Sequence, residues 1–301
     1  MNGENRTLAA ACMIMVYAVL IGFVDNYVRI ISAHAGIWQF HATRTAFALV
    51  LIGAAAALFG WRLRPVSFRA VAARSAVHGL AIGIYFGGLG FLPVAQVAAG
   101  LFTAPIFVLL IGRFAYGHQL GPVRIVAVAT GFAGAALVLG PAAARGLGWA
   151  SLLPVLSGAC YALGNIATRE WCGRESALTL TAGFFVALGV MGLAGLAVLA
   201  LFPVPVAEGG AGFLTRGAVP PTPEFLWWTF VQALGSLVAV AAMVRGYQLA
   251  EASRVAIFEY GVLPVAALWS WVLWGERLDL AASIGIALIV LSGSAIILRR
   301  P

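Results

Sequence analysis

The chain reads LPVAQVAAGLFTAPIFVLLIGRFAYGHQL at residues 92–120 and returns to a similar sequence, LAEASRVAIFEYGVLPVAALWSWVLWGERL, at residues 249–278. Both segments are apolar, carry a proline well inside, and end in a glycine followed three residues later by a leucine. Three residue pairs keep the same order: Pro105 with Pro264, Gly117 with Gly275, and Leu120 with Leu278. The separation of each pair is close to half of the 301-residue chain, which indicates an internal duplication.

The composition places the chain in a lipid bilayer. Apolar residues make up 62% of it and charged residues 9%, against about half and about a quarter in soluble domains. All 18 basic residues are arginines that lie scattered between apolar runs, with no basic stripe of the kind that binds nucleic acid. In a membrane protein such an excess of arginine indicates topology.

Ten apolar runs are long enough to cross a bilayer as helices, since about 20 residues are needed. They lack the polar–apolar alternation of a membrane β-barrel, so an all-α fold is expected. The predicted spans cover residues 8–31, 37–60, 70–92, 94–113, 121–140, 149–170, 177–202, 225–249, 253–275 and 279–298.

The duplication divides these spans into two units of five, at residues 1–145 and 146–301, with an external loop at 203–223. Because five is odd, the second unit enters the membrane from the opposite side, which predicts an inverted repeat as in many secondary transporters. With both termini in the cytoplasm, thirteen of the 18 arginines lie on the cytoplasmic side, as the positive-inside rule requires.

A known family shares these features. The duplicated five-helix unit, the proline inside the fourth helix of each unit and the motif Gly275-Glu276-Arg277-Leu278 resemble the drug/metabolite transporter superfamily. Within it the chain is similar to the EamA-type bacterial exporters, including aromatic amino-acid exporters. The first unit departs from the pattern, because His118 stands where the acidic residue is expected. The resemblance implies ten helices, cytoplasmic termini, a cavity lined mainly by helices 1, 3, 4, 6, 8 and 9, and export of amino acids or drug-like metabolites.

Two prolines and one acid are candidates for the conformational mechanism. Pro105 and Pro264 each remove a backbone hydrogen bond inside a span, so they predict hinges, although static kinks are the alternative. Glu259 lies within the ninth span, where a carboxyl is costly and usually faces a cavity or a partner. With His78 and Asn165 it predicts a polar layer that binds substrate, relays a proton or closes an inner gate. An ion pair with Arg245 is the structural alternative.

Polar and aromatic side chains on the other cavity helices predict the rest of a binding site, because ligand pockets combine apolar walls with a few polar groups. The candidates are Tyr85, Phe102, Tyr161, Gln232, Ser236 and Tyr260. Asp25 and Arg29, four residues apart on helix 1, are expected to form a structural pair.

Other functions lack support in the sequence. Hydrolase, metalloprotease and nucleotide-binding motifs are missing, so neither an enzyme nor a metal or other cofactor is expected. A channel would need charged rings or a filter. A carrier of sugar phosphates or nucleotide sugars would need basic residues in its cavity, and none is placed near mid-membrane. We therefore expect a neutral or zwitterionic solute, such as an amino acid, to be exported across the bacterial inner membrane by a monomer or homodimer.

Overall fold

The computed structural model describes residues 3–61, 63–88, 92, 94–140, 152–208, 210–275 and 279–298. Every regular element in these ranges is helical, and two 3₁₀ segments, Asp25–Tyr27 and Ala256–Gly261, interrupt the spans. The α-helices are α1 (Gly3–Val24), α2 (Val28–His34), α3 (Ile37–Phe59), α4 (Phe68–Gly88), α5 (Val94–Leu101), α6 (Ala104–Tyr116), α7 (Pro122–Leu139), α8 (Leu152–Glu170), α9 (Ala177–Leu201), α10 (Gly210–Thr215), α11 (Pro223–Leu249), α12 (Ala252–Val255), α13 (Val262–Trp274) and α14 (Leu280–Leu298).

Eight helical stretches in the described ranges are long and apolar enough to cross a membrane. They correspond to eight of the ten predicted spans. The predicted span 149–170 contains α8. This helix is less apolar than the other spans because it carries the polar residues Ser157, Asn165 and Thr168, all of them buried. The predicted span 279–298 forms α14, whose strongly apolar part is shorter, Leu280–Ala295. The Gly-Glu-Arg-Leu motif falls largely outside the described residues.

Each of the two prolines matched by the internal repeat follows a break in its helix. Pro105 is the second residue of α6, and α5 ends at Leu101, the residue whose carbonyl a non-proline residue at 105 would bond. Thr103 fills the break with its hydroxyl, which donates to the Gly100 carbonyl at 2.6 Å. Pro264 likewise follows the 3₁₀ segment Ala256–Gly261. The spans are thus discontinuous rather than smoothly kinked.

The largest helix–helix contacts recur when the first five predicted spans are exchanged with the last five. Helix α1 packs along α11, and α4, from the third span, packs along α8, from the sixth. The contact of α1 with α13 is matched by that of α8 with α6. The pairs α3 with α9 and α7 with α14 map onto themselves. Two similar units related by a two-fold axis produce such a pattern.

The segment expected to be an external loop at 203–223 contains a short helix, α10. It is fastened to α3 by two side chains. The Trp38 indole donates to the Leu214 carbonyl at 2.9 Å, and the Gln39 amide exchanges two hydrogen bonds with the backbone of Val219. This segment therefore covers the end of α3 from which Arg44 projects.

Candidate substrate cavity

A cavity of about 260 Å³ lies among the helices of both halves. Its wall comes from the first, third, fourth, sixth, eighth and ninth spans, as the family resemblance implies, and also from α3 and α9. Eight of the predicted functional residues line it: His78, Tyr85, Phe102, Pro105, Tyr161, Gln232, Ser236 and Glu259.

Three predicted residues lie off the wall. Asn165 is fully buried behind it and reaches the cavity only through Glu259. Tyr260 is also fully buried, with its ring 6.2 Å from that of Phe102. Pro264 borders a separate apolar groove between α1, α13 and α14.

Glu259 lies in the 3₁₀ segment of the ninth span and forms one end of the cavity. Its Oε1 atom accepts hydrogen bonds from the Tyr247 hydroxyl at 2.7 Å and from Asn165 Nδ2 at 3.1 Å. Both donors are neutral and buried. Arg245 is exposed, whereas Glu259 is buried, so the ion pair considered as an alternative is wrong. Of the predicted polar layer, Asn165 bonds Glu259, and Tyr247 is a partner that sequence reasoning missed.

His78 has surroundings different from the expected polar layer. Its ring packs edge-on against Tyr161 at 4.8 Å and against Phe184 at 5.8 Å. Neither of its ring nitrogens has a hydrogen-bond partner among the described residues. One helical turn away, Arg74 is fully buried and donates to Thr168 Oγ1 at 3.0 Å. The histidine is therefore part of the aromatic wall of the cavity.

Aromatic side chains form much of the remaining wall. The hydroxyls of Tyr17 and Tyr161 lie 3.3 Å apart, so these two rings join the first and sixth spans. Tyr161 also contacts the Met243 sulfur at 3.0 Å. Phe102 lines the cavity from the break between α5 and α6. Flat rings on several sides suit a flat apolar body.

The other polar part of the wall combines the predicted Gln232 and Ser236 with two charged residues whose place in the cavity the sequence analysis missed. Arg44 and Asp25 both line the cavity, and Gln232 connects them. Arg44 Nη1 donates to Gln232 Oε1 at 3.3 Å, and Gln232 Nε2 donates to Asp25 Oδ1 at 3.2 Å. Ser236 adds a longer bond to Gln232 Oε1, at 3.4 Å. Asp25 thus faces the cavity and is not only a structural partner on helix 1.

The expectation that the cavity lacks a basic residue is wrong, because Arg44 lines it. Arg44 and Arg74 lie inside α3 and α4 and are 4% and 0% exposed. Arg44 is about 10 Å from the start of α3, at 1.5 Å per residue. Its guanidinium carbon lies 5.3 Å from the ring centroids of both Phe40 and Phe185. The sequence did show that Arg44 lies well inside an apolar run. The sequence analysis nevertheless counted every arginine as lying at one membrane surface or the other, so it overlooked Arg44.

A cluster of charged side chains joins the two halves beyond the Glu259 end, where α6–α7 and α11–α12 turn. Arg124 Nη1 lies 2.7 Å from Glu251 Oε1, which also accepts from the Ser253 hydroxyl at 2.7 Å. His118 lies 3.5 Å from Glu170 and 3.8 Å from Glu251. Partial burial alone would raise the pKa of Glu251, but the Ser253 hydrogen bond and Arg124 lower it below the usual value.

The described residues contain no group of three His, Cys, Asp or Glu side chains arranged to hold a metal ion. Buried polar groups at two places on an otherwise apolar, aromatic wall are typical of a pocket for a small organic molecule. The site can bind and orient such a molecule.

Comparison with known proteins agrees with this reading. The sequence profile of the EamA-like transporter family matches residues 8–140. A Rhizobium johnstonii protein named riboflavin transporter is 31% identical over 227 residues, which are 75% of this chain and 69% of that protein. A Brucella anthropi riboflavin transporter is 26% identical over 246 residues, covering 79% of this chain and 78% of that protein. A Helicobacter pylori protein named uncharacterized transporter is 23% identical, covering 98% and 96%.

One solved crystal structure has the same overall fold. It superposes with a TM-score of 0.75 at 19% sequence identity and covers 95% of both chains. At this identity the likeness concerns the fold alone.

Proposed function

Because the chain belongs to the EamA-like transporter family, we propose that it carries a flat heteroaromatic solute of the riboflavin class through this cavity by alternating access. The protein is a multi-pass membrane transporter and not an enzyme. The bacterial inner membrane fits its spans and its relatives.

The arrangement of the cavity wall carries the proposal for the solute. Rings of Tyr17, Phe102 and Tyr161 surround the space, and polar groups lie at Glu259 and at Asp25–Arg44. Its volume of about 260 Å³ is slightly below the usual range of small-molecule pockets, about 300 to 1,000 Å³. Riboflavin has a flat tricyclic ring that is polar at its pyrimidinedione end and apolar at its dimethylbenzene end, and it carries a polyol chain on the central ring. Its flat faces suit the aromatic wall, and its polar groups suit Glu259 and Asp25–Arg44. Two relatives are named riboflavin transporters.

An amino acid is the second candidate, and one observation favours it. Asp25 and Arg44 place opposite charges on one wall, where they suit the ammonium and the carboxylate of a zwitterion. An aromatic amino acid would put its ring against the same rings. Phosphorylated solutes are supported less well, because Gln232 links Arg44 to the Asp25 carboxylate.

Alternating access is supported by the exchangeable packing of the two halves and by the charged cluster. The units 1–145 and 146–301 contribute matching contacts, and inverted units can exchange conformations. The cluster around Glu251 ties α6–α7 to α11–α12 beyond Glu259, and we expect these contacts to break when the cavity opens towards that side. Alternating access is reversible, so gradients decide the net direction, and export stays a prediction.

Flavin fluorescence offers a direct test. Purified protein in lipid nanodiscs should quench riboflavin fluorescence saturably, because the ring stacks on the aromatic wall. Proteoliposomes loaded with unlabelled riboflavin should then accumulate labelled riboflavin by counterflow. Phenylalanine, tyrosine and tryptophan serve as competitors. If these amino acids support counterflow and riboflavin neither binds nor exchanges, the amino-acid reading replaces the flavin one.

A matched pair of variants links the signal to the cavity. Phe102 lines the cavity, whereas Phe114, on the same span, is 83% exposed. Phe102→Leu should weaken riboflavin binding by about fivefold, as expected for the loss of a stacked ring worth about 1 kcal/mol beyond burial. Phe114→Leu should bind as wild type does. Equal binding by both variants would place the ligand elsewhere.

A further inference from the structure

His118 has a carboxylate near each of its two ring nitrogens. Its Nε2 atom lies 3.5 Å from Glu170 Oε1, and its Nδ1 atom lies 3.8 Å from Glu251 Oε1. His118 lies between α6 and α7, Glu170 is the last residue of α8, and Glu251 lies between α11 and α12. The histidine therefore connects the link between the fourth and fifth spans to the sixth span and to the link between the eighth and ninth.

This geometry favours a protonated imidazole. A neutral imidazole carries one N–H, so its other nitrogen would direct a lone pair at a carboxylate oxygen. An imidazolium has an N–H on each nitrogen and can donate towards both carboxylates at once. On the α6 side, the Tyr116 ring lies 6.0 Å from the His118 ring, and its hydroxyl accepts from the Trp171 indole at 2.8 Å.

The other charged groups around His118 contact only one of its two carboxylates. Arg124, near the start of α7, lies 2.7 Å from Glu251 Oε1, and Arg254 of α12 lies 3.8 Å from the other oxygen of Glu251. Glu170 has no ion-pair partner other than His118 within the described part of the chain. Loss of a proton from His118 would therefore leave Glu170 without a counter-charge.

We propose that His118 is a proton-dependent latch at the end of the bundle beyond Glu259. Its protonated ring holds the α6–α7 link against Glu170 and Glu251, and its neutral ring releases them. Histidine is the side chain whose charge changes between about pH 5 and pH 8. Because the latch forms only with the proton bound, thermodynamic linkage makes the closed arrangement more populated as pH falls.

The latch adds a regulator to the proposed alternating access, on which it rests. The cytoplasmic termini predicted from the arginine distribution place this end of the bundle in the cytoplasm. Acid on that side should hold the end closed and slow counterflow by about fivefold, the factor expected when two partly exposed ion pairs contribute together. Acid on the opposite side should have no effect through His118.

A distance measurement tests the latch without any solute. Spin labels are placed at Gly121 and Arg174, two exposed positions on the α6–α7 link and just after α8, in protein whose Cys12, Cys160 and Cys172 are replaced. A Cβ atom at Gly121 meets nothing within 4 Å, so a label fits there. In nanodiscs, double electron–electron resonance should show the ratio of short to long distances rising about fivefold as pH falls from about 8 to about 5.5.

Histidine variants assign this response to one residue. His118→Gln stays polar but cannot take up a proton, so its distances should not change with pH. His34→Gln is the matched control, because His34 lies 3.2 Å from a single carboxylate, that of Glu224, between α2 and α11. It should respond to pH as wild type does. A response that persists in His118→Gln, or that is lost in His34→Gln, would overturn the assignment to His118.

The wild-type measurement decides the proposal even if a histidine variant does not fold. Wild-type distances that do not change with pH, in protein that exchanges riboflavin, would overturn the latch alone. A pH-dependent distance in protein that neither binds nor exchanges riboflavin would support the latch and overturn the proposed solute.

Discussion

Arg44 illustrates how an apolar bundle accommodates a buried charge. Two phenylalanine rings flank its guanidinium. Gln232 accepts a hydrogen bond from Arg44 and donates one to the carboxylate of Asp25. Burying a lone charge in such surroundings is costly, so a cation is retained where it is paired or where a ligand uses it. Glu259 has a different environment, because both of its hydrogen-bond donors, Tyr247 and Asn165, are neutral.

Replacing Glu259 by glutamine should reduce counterflow by about tenfold or more, a factor that matches the loss of a hydrogen bond to a charged group. Glutamine keeps the shape and an acceptor for Tyr247, so insertion and folding should be retained. It removes the charge and the ability to exchange a proton. Flux and membrane-inserted protein are measured together, with Glu224→Gln, an exposed acid on α11, as the control. Wild-type flux in Glu259→Gln would leave Glu259 with a structural role only.

At the scale of the elements, close backbone approaches set the helix packing. Helices α7 and α14 meet at Gly134 and Gly285, where a Cβ atom added to either glycine would lie within 2.6 Å of the other's carbonyl oxygen. Small residues allow such approaches between membrane helices. Which glycine of α14 meets Gly134 is visible only in three dimensions.

Gly134→Ala should lower the stability of the protein by about 1–3 kcal/mol, because the added methyl group forces α7 away from α14. Gly53→Ala is the matched control, since a Cβ at this helical position meets nothing within 4 Å. Alanine in an exposed helix position is favoured over glycine by roughly 0.5–1 kcal/mol, so the control should be neutral or slightly stabilising. Thermal unfolding in detergent measures both. Equal melting temperatures would show that the two helices do not pack as described.

The ion pair between Arg124 and Glu251 can be tested by mutation. Glu251→Gln and Arg124→Gln should each destabilise the protein, with a coupling of about 1 kcal/mol in the double-mutant cycle. Because the pKa of Glu251 is lowered in the folded protein, its contribution is complete above the usual pKa of a glutamate and is lost as pH falls through the lowered value. The melting temperature of Glu251→Gln should therefore depend less on acidic pH than that of wild type. Additive effects, or identical pH curves, would contradict the ion pair.

At the scale of the whole molecule, hydropathy and the duplication were sufficient to predict an all-helical membrane protein and the position of its spans. The two prolines correctly marked where their spans are interrupted. The sequence did not predict the form of these interruptions. Sequence patterns cannot pair Asp25 with Gln232 or Gln232 with Arg44, because these residues are far apart in the chain and meet only when the two halves pack. Most of the predicted cavity residues do line the cavity. A polar group within an apolar run usually faces either a cavity or a polar partner, so its position in the sequence is informative.

The inverted arrangement of the two units is the central claim, and the most direct measurement of it is cysteine accessibility in intact cells. Gln119, after α6, and Asp279, before α14, occupy corresponding ends of the two units, and both are exposed. Single cysteines at these positions, in a background in which Cys12, Cys160 and Cys172 are replaced and flux is retained, are labelled with a membrane-impermeant maleimide. Inverted units predict rapid labelling at 279 and labelling at 119 only after the cells are permeabilised. Labelling of both positions from the same side would contradict the inverted repeat, and with it the alternating-access mechanism.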